Sequence, residues 1–399
     1  MPEFTGGNRV ALLRNGEQYF PALVAAIDAA RVEVFVEAYI FADDETGSLV
    51  ANALARAATR GVATHLLVDG FGAKDFPPRF RDMLATAGAQ LLVFRPQVSP
   101  WPFWKQKSRL RRMHRKLACI DGSVAFVGGI NIIDDFGSWA PVCPRYDYAV
   151  GIEGPLAAQV RAAAARLWTR VSWATIGRRW RDWGGFALHP GSAPRRVPPP
   201  HLPGGGAQSA ALVVRDNLRH RRDIEAAYLE QIDAARSEVI VACAYFFPSR
   251  RFLRALMQAA RREVAVSLLL QGKSDHPLLF HASRALYRSL LRAGVRIYEY
   301  YPSELHAKVA VFDSRVATVG SSNIDPLSLA VAQEANVFVE DRAFASELRL
   351  SLHEAIGMGS RPVQPNYWKR LSPALRLRIW LYYRVARLMI SIYGLDRLR

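Results

Sequence analysis

RRMHRKLACID at residues 111–121 and LHAKVAVFD at residues 305–313 share one spacing: a histidine, a lysine two places on, and an aspartate seven places after the histidine. Around these two stretches the chain repeats itself. AAIDAARVEVFVEAYIF at 25–41 is echoed by EQIDAARSEVIVACAYFF at 230–247, GVATHLLVDG at 61–70 by EVAVSLLLQG at 263–272, and AGAQLLVFRP at 87–96 by AGVRIYEYYP at 293–302. Beyond the His-x-Lys segments, VAFVGGIN at 124–131 matches VATVGSSN at 316–323, and DYAVGIEG at 147–154 matches EANVFVED at 334–341. Correspondences kept in this order over two long stretches imply a duplicated unit. Each unit alternates short apolar strands with helical segments such as LVANALARAATRG at 49–61. That alternation predicts an α/β fold of two duplicated domains, each a mostly parallel mixed sheet flanked by helices, related by a pseudo-twofold axis and sharing one active site.

The 399 residues suit two such domains, and a hydrophobic content of 50% excludes a disordered chain. Residues 8–183 form the first expected domain and 207–362 the second. Between them, 184–206 holds six Gly and six Pro, the composition of an extended connector. A net charge of +18 points to phosphate-rich partners, either nucleic acid or an anionic lipid surface. Cys119, Cys143 and Cys243 form no CxxC pair and read as reduced, structural thiols. Neither a signal peptide nor a spanning helix is expected, because no stretch reaches 18 uncharged apolar residues.

If the motif lies on a strand, His114 and Lys116, or His306 and Lys308, project from one face. The chain has 7 lysines against 46 arginines, yet both copies place Lys at the same offset. A compact ammonium on a phosphoryl oxygen explains that choice better than a planar guanidinium. Two histidines facing across a pseudo-twofold axis suit displacement at phosphorus without metal or cofactor: one attacks, the other protonates the leaving alkoxide, and the roles then reverse. Lys116, Lys308, Asn131 and Asn323 are the candidate donors to the equatorial oxygens. Asp121 and Asp313 have two readings, one as acceptors that hold the ring tautomers and one as turn residues capping backbone amides.

The doubled H-x-K-x4-D pattern, each copy followed by a Gly/Ser-rich segment and Asn, resembles the phospholipase D superfamily. Through RNGEQYFPALVAAIDAA, EAYIFADDETG, LLVDGFGA and DYAVGIEGP in the first half, and SSNIDPLSL and QEANVFVEDR in the second, the chain is similar to bacterial cardiolipin synthases of the B type. The resemblance implies a phosphatidyltransferase acting on anionic phospholipid, with phosphatidylglycerol as donor and acceptor, a phosphatidyl-histidine intermediate and release of glycerol. It assigns catalytic roles to His114, Lys116, Asp121, His306, Lys308 and Asp313; either histidine could be the nucleophile, and the analogy favours His114. Two departures stand out: Gly129 where the second half has Ser321, and Glu37 opposite Ala242 or Cys243.

Three segments suit contact with a membrane. Residues 99–113 hold Trp101, Phe103 and Trp104 followed by five basic residues, and read as a lip at headgroup level or a solvated loop. Residues 366–399 mix apolar and basic side chains and read as an amphipathic membrane-surface segment or as a helix packed on the second domain. Trp168, Trp173, Trp180 and Trp183, with their neighbouring arginines, fit a third contact or core packing. Together with the resemblance, which implies a bacterial inner membrane and its cytoplasmic face, these features lead to the expectation of a peripheral enzyme with no nucleic-acid partner. A hydrolase passing the phosphatidyl group to water, or a nuclease of the same fold, uses the same catalytic residues.

Overall fold

The computed structural model describes residues 2–96, 111–136, 143–179, 206–216, 220–273, 277–325, 328 and 332–392. The aromatic residues 101, 103 and 104, Trp180, Trp183 and nearly all of the 184–206 connector lie outside the described residues. In the first half run β1 (Thr5–Arg14), β2 (Glu33–Ala38), β3 (Ala63–Asp69), β4 (Gln90–Phe94), β5 (Leu117–Ile120), β6 (Val124–Gly128) and β7 (Tyr148–Glu153). The second half repeats them as β8 (Gln208–Arg215), β9 (Glu238–Cys243), β10 (Ala265–Gln271), β11 (Arg296–Tyr300), β12 (Lys308–Phe312), β13 (Val316–Gly320) and β14 (Glu334–Glu340), and β15 (Ser360–Pro362) is added at its edge.

Spatially the order is β15-β11-β10-β9-β12-β13-β14-β8-β1-β7-β6-β5-β2-β3-β4, one sheet whose halves mirror each other about the β8–β1 junction. The sheet is mixed, but not mostly parallel as the sequence suggested. In each half only β2–β3–β4, or β9–β10–β11, run parallel. The remaining pairings are antiparallel, among them the tight hairpins β5–β6 and β12–β13, which have no crossover helix between their strands.

Apolar runs such as VFV in β2 and LACI in β5 are buried throughout, as expected where helices cover both faces of a sheet. On one face, helices Pro155–Arg179 and Arg342–Gly357 share a single core that crosses from one half to the other, including Trp168, Val160, Leu348 and Leu352. On the opposite face each half has its own core. Trp168 is therefore a packing residue, whereas Trp173 is 70% exposed. Between the halves, Tyr146 and Tyr148 bond through their hydroxyls to each other and to Ser351, and Arg145 pairs with Glu304 at 2.9 Å.

The motif aspartates belong to this scaffold. Asp121 and Asp313 end β5 and β12 with positive φ (51° and 52°), a conformation Asp tolerates. The Asp121 carboxylate accepts from the backbone N–H groups of Arg31, Val32 and Glu33 at 2.8–2.9 Å. Asp313 does the same for Arg236, Ser237 and Glu238. The repeated DAAR-x-E stretch thus supplies a triple amide clamp that ties each hairpin to the strand beside it. Of the two readings of these aspartates, the amide-capping one matches the contacts; the imidazoles are held by other carboxylates. For Asp313 burial alone would raise the carboxyl, yet the amides of Glu238, Ser237 and Arg236 bring it below its ordinary value. Its contribution is complete above the ordinary Asp value and is lost as pH falls through the depressed one. Asp121→Ala leaves three amides without their acceptor and should lower unfolding stability by about 2 kcal/mol in a denaturant titration; an unchanged midpoint would show that the clamp carries no stability.

Candidate active site

Each histidine sits just before its strand rather than within it, since β5 begins at Leu117 and β12 at Lys308. The preceding residues are extended and pair with the opposite half. Met113 bridges Gln333 in parallel, with His114 N–H donating to Gln333 O at 2.9 Å. Reciprocally, Leu305 bridges Tyr146, and His306 N–H donates to Tyr146 O at 2.9 Å. Gln333 precedes Glu334 and Tyr146 precedes Asp147, so the crossing brings each imidazole to a carboxylate from the other half. His114 Nδ1 lies 3.0 Å from Glu334 Oε1, and His306 Nδ1 lies 2.6 Å from Asp147 Oδ2. Both carboxylates are buried while the rings keep 16% and 12% of their side-chain surface open.

A matched pair of polar side chains anchors the approach to each histidine. Asp69, at the end of β3, accepts from Met113 N–H at 2.8 Å, and Gln271, at the end of β10, accepts from Leu305 N–H at 2.6 Å. Lys116 and Lys308 fold back so that Nζ donates to the carbonyl of His114 and His306 respectively. Tyr39 meets the His114 ring edge-on at 4.7 Å and lies under the Lys116 ammonium at 5.1 Å. Asn131 and Asn323 are both buried; among the described residues the Asn131 amide oxygen has no hydrogen-bond partner, and Asn323 neighbours Cys243, the residue opposite Lys308. All six His, Lys and Asn candidates thus lie in or beside the crossing, whereas Asp121 and Asp313 stand at the far ends of the strands.

Burial dominates the electrostatics of the site. Burial pushes Lys116 down to about 7, and Lys308 is also lowered by burial. Both imidazoles are lowered, first by burial; for His306 the two lysines add to it. The carboxylates differ. Burial raises Asp147 to about 6. Burial also works against Glu334, but His114, Lys116 and the Ser321 hydroxyl outweigh it and hold the group below its ordinary value. Among the described residues no group of three or more His, Cys, Asp or Glu side chains is placed to hold a metal.

The two sequence departures now have physical reasons. Ser321 Oγ donates to Glu334 Oε2 at 2.5 Å. At the matched position a Cβ on Gly129 would fall on the Asp147 carboxylate. The longer glutamate stands off far enough to admit a serine; the shorter aspartate needs glycine. Glu37 forms a buried two-point pair with Arg115, the residue between His114 and Lys116. In register, Glu37 stands opposite Leu117 and Ala242 opposite Val309, so Ala242 is its counterpart, and Ala307 replaces Arg115. The ion pair is thus present as a unit in one half and absent as a unit from the other. Sequence reasoning missed Glu334 and Asp147 as the histidine partners, although both matched segments open on an acid. Gly129→Ala should displace Asp147 from His306 and lower kcat on the order of 100-fold, with the melting temperature little changed; parental kcat would mean that the Asp147 contact does not position the ring.

Comparison with known proteins follows the same division of the chain. A family model described as "Cardiolipin synthase, PLD-like domain" matches residues 23–168 and 228–355. Cardiolipin synthase B of Escherichia coli K12 is 40% identical over 358 residues, covering 90% of this chain and 82% of that protein. The Salmonella typhimurium LT2 protein of the same name is 40% identical over 364 residues, 88% and 81% of the two chains. Among solved structures, phosphatidylserine synthase of Haemophilus influenzae Rd KW20 superposes with a TM-score of 0.68 over 98% of this chain and 97% of that one, at 12% identity, a likeness of fold. With a twice-matched family model and relatives this similar over most of their length, the chain belongs to the cardiolipin synthase family of phospholipase D-like proteins.

Proposed function

We propose that the chain condenses two phosphatidylglycerol molecules, or one with a related phospholipid, into cardiolipin and glycerol. What supports this reading most is the reciprocal seating of each histidine on a carboxylate from the other half, beside two buried lysines. In the first step His114 Nε2 attacks phosphorus, the bond to the headgroup glycerol breaks, and His306 gives its proton to the departing alkoxide. In the second, His306 takes the proton of the acceptor hydroxyl, the acceptor oxygen bonds to phosphorus, and the P–N bond breaks. Lys116, Lys308, Asn131 and Asn323 hold the charge on the non-bridging oxygens throughout.

The unequal carboxylates support this division of labour. Attack leaves the first imidazole cationic, and an ionised Glu334 on its Nδ1 offsets that charge. Asp147, with its raised pKa, and His306 form a pair better suited to share and pass one proton. The enzyme would work peripherally, at the cytoplasmic face of the inner membrane, where its lipids lie.

Purified protein given phosphatidylglycerol should yield a four-chain lipid and glycerol by mass, and His114→Ala or His306→Ala should abolish the product while vesicle binding persists. Phosphatidic acid as the main product would replace transfer with hydrolysis, and full turnover in either variant would end the two-histidine scheme. Because Lys116 is held near 7 and is charged only below that, kcat/KM for a water-soluble short-chain phosphatidylglycerol should fall as pH rises through neutrality. A profile flat to the alkaline side would contradict a phosphate-binding role for Lys116.

A further inference from the structure

Helix Pro373–Ile392 is apolar on two opposite faces. Ile379, Ala386 and Ile390 are buried on its inner face, against helix Pro277–Arg292. On the same side Tyr382 stacks on His281 and Tyr383 packs on Phe247. The outer face carries Leu377, Trp380, Leu381, Val385, Leu388 and Met389, between 38% and 64% exposed. These are six of the thirteen large hydrophobic side chains exposed among the described residues, gathered on one helix. A helix whose only task is to pack on a domain shows water a polar outer face. Every charged side chain here is cationic: Arg376, Arg378, Arg384 and Arg387 on the helix and Lys369 and Arg370 just before it, with no acid anywhere between residues 367 and 392.

The position of the helix ties this face to the site. Arg387 lies over Phe247 and donates to the Tyr383 hydroxyl. Phe247 N–H donates to Ile324 O at 2.7 Å, next to Asn323, and Ile324 N–H reaches the sulfur of Cys243, the residue opposite Lys308. The helix is therefore braced on the end of β9 that lies beside Lys308 and Asn323. No helix among the described residues is long and apolar enough to cross a membrane. An apolar stripe interleaved with arginines instead suits a helix lying in the interfacial plane of an anionic bilayer.

We propose that the outer face of helix Pro373–Ile392 docks the enzyme on an anionic lipid bilayer, with Leu377, Trp380, Leu381 and Leu388 entering the headgroup boundary and the exposed Arg378 and Arg384 meeting lipid phosphates. The proposal rests on the phospholipid-transfer reading and adds the surface through which a bilayer-borne substrate is met. The inner face keeps the helix on the protein, so docking requires no rearrangement of the fold.

The test compares the parent with a Leu377→Glu, Leu381→Glu, Leu388→Glu variant, whose changes all point away from the protein. Vesicles of phosphatidylcholine with phosphatidylglycerol are sedimented with each protein, and turnover is measured on those vesicles and on monomeric dihexanoyl-phosphatidylglycerol. Vesicle affinity and vesicle turnover should fall on the order of 100-fold in the variant, with turnover of the monomeric lipid unchanged. Hydrogen exchange across residues 377–389 of the parent should slow on adding the vesicles, a readout that needs no variant. Parent-like vesicle binding by the variant, unprotected exchange, or a change confined to oligomeric state would overturn the proposal. Failure of the parent to convert the monomeric lipid would instead strike at the transfer chemistry.

Discussion

Two short contacts between an imidazole and a carboxylate, each made across the midline, are the constraint on which this molecule turns. His114 on Glu334 and His306 on Asp147 require that the halves fold into one sheet and that the segments before β5 and β12 cross to the opposite half. Neither half holds a complete set of groups. This explains why β1 and β8 are joined along the midline, why one core runs continuously under both halves, and why Arg145, Tyr146 and Tyr148 are engaged by the second half. Stability of the junction and assembly of the site are one requirement.

Within the symmetry, compensated differences set the two sides apart. Glycine goes with aspartate and serine with glutamate, so that either carboxylate reaches its ring without a clash. Serine adds a donor that helps keep Glu334 ionised, whereas among the described residues the Asp147 carboxylate accepts, besides the ring contact, one hydrogen bond, from Tyr148 N–H. Glu37 and Arg115 stiffen the backbone between His114 and Lys116, and alanines occupy both places in the other half. The two halves of the duplicated unit differ through changes of this size, each paired so that packing is preserved.

The duplication and the paired histidines and lysines were legible in the sequence because the same residues recur at the same offsets. The apolar runs likewise gave the α/β layers. What was not legible is what crosses between distant segments. Spacing shows that Asp121 follows His114 by seven residues; it does not show that a four-residue strand carries the carboxylate away to the Arg31–Glu33 amides. Glu334 lies 220 residues from the ring it serves, and only its alignment with Asp147 hinted at a shared task. Strand direction was misjudged for a related reason, since apolar runs look alike whether a hairpin or a crossover joins them. For the C-terminal segment, sequence offered packing or membrane contact as alternatives, and the helix has one face for packing and a second apolar face left over.

The most direct measurement uses a phosphatidyl ester with a good leaving group, such as p-nitrophenol, and the His306→Asn variant. This ester departs without an acid catalyst, and the variant lacks the base that would clear the intermediate. Peptide mass spectrometry after a neutral quench should find the phosphatidyl group on His114 and nowhere else. An adduct on another residue, or release of p-nitrophenol with no adduct at any time, would contradict covalent catalysis by His114 across the shared pocket.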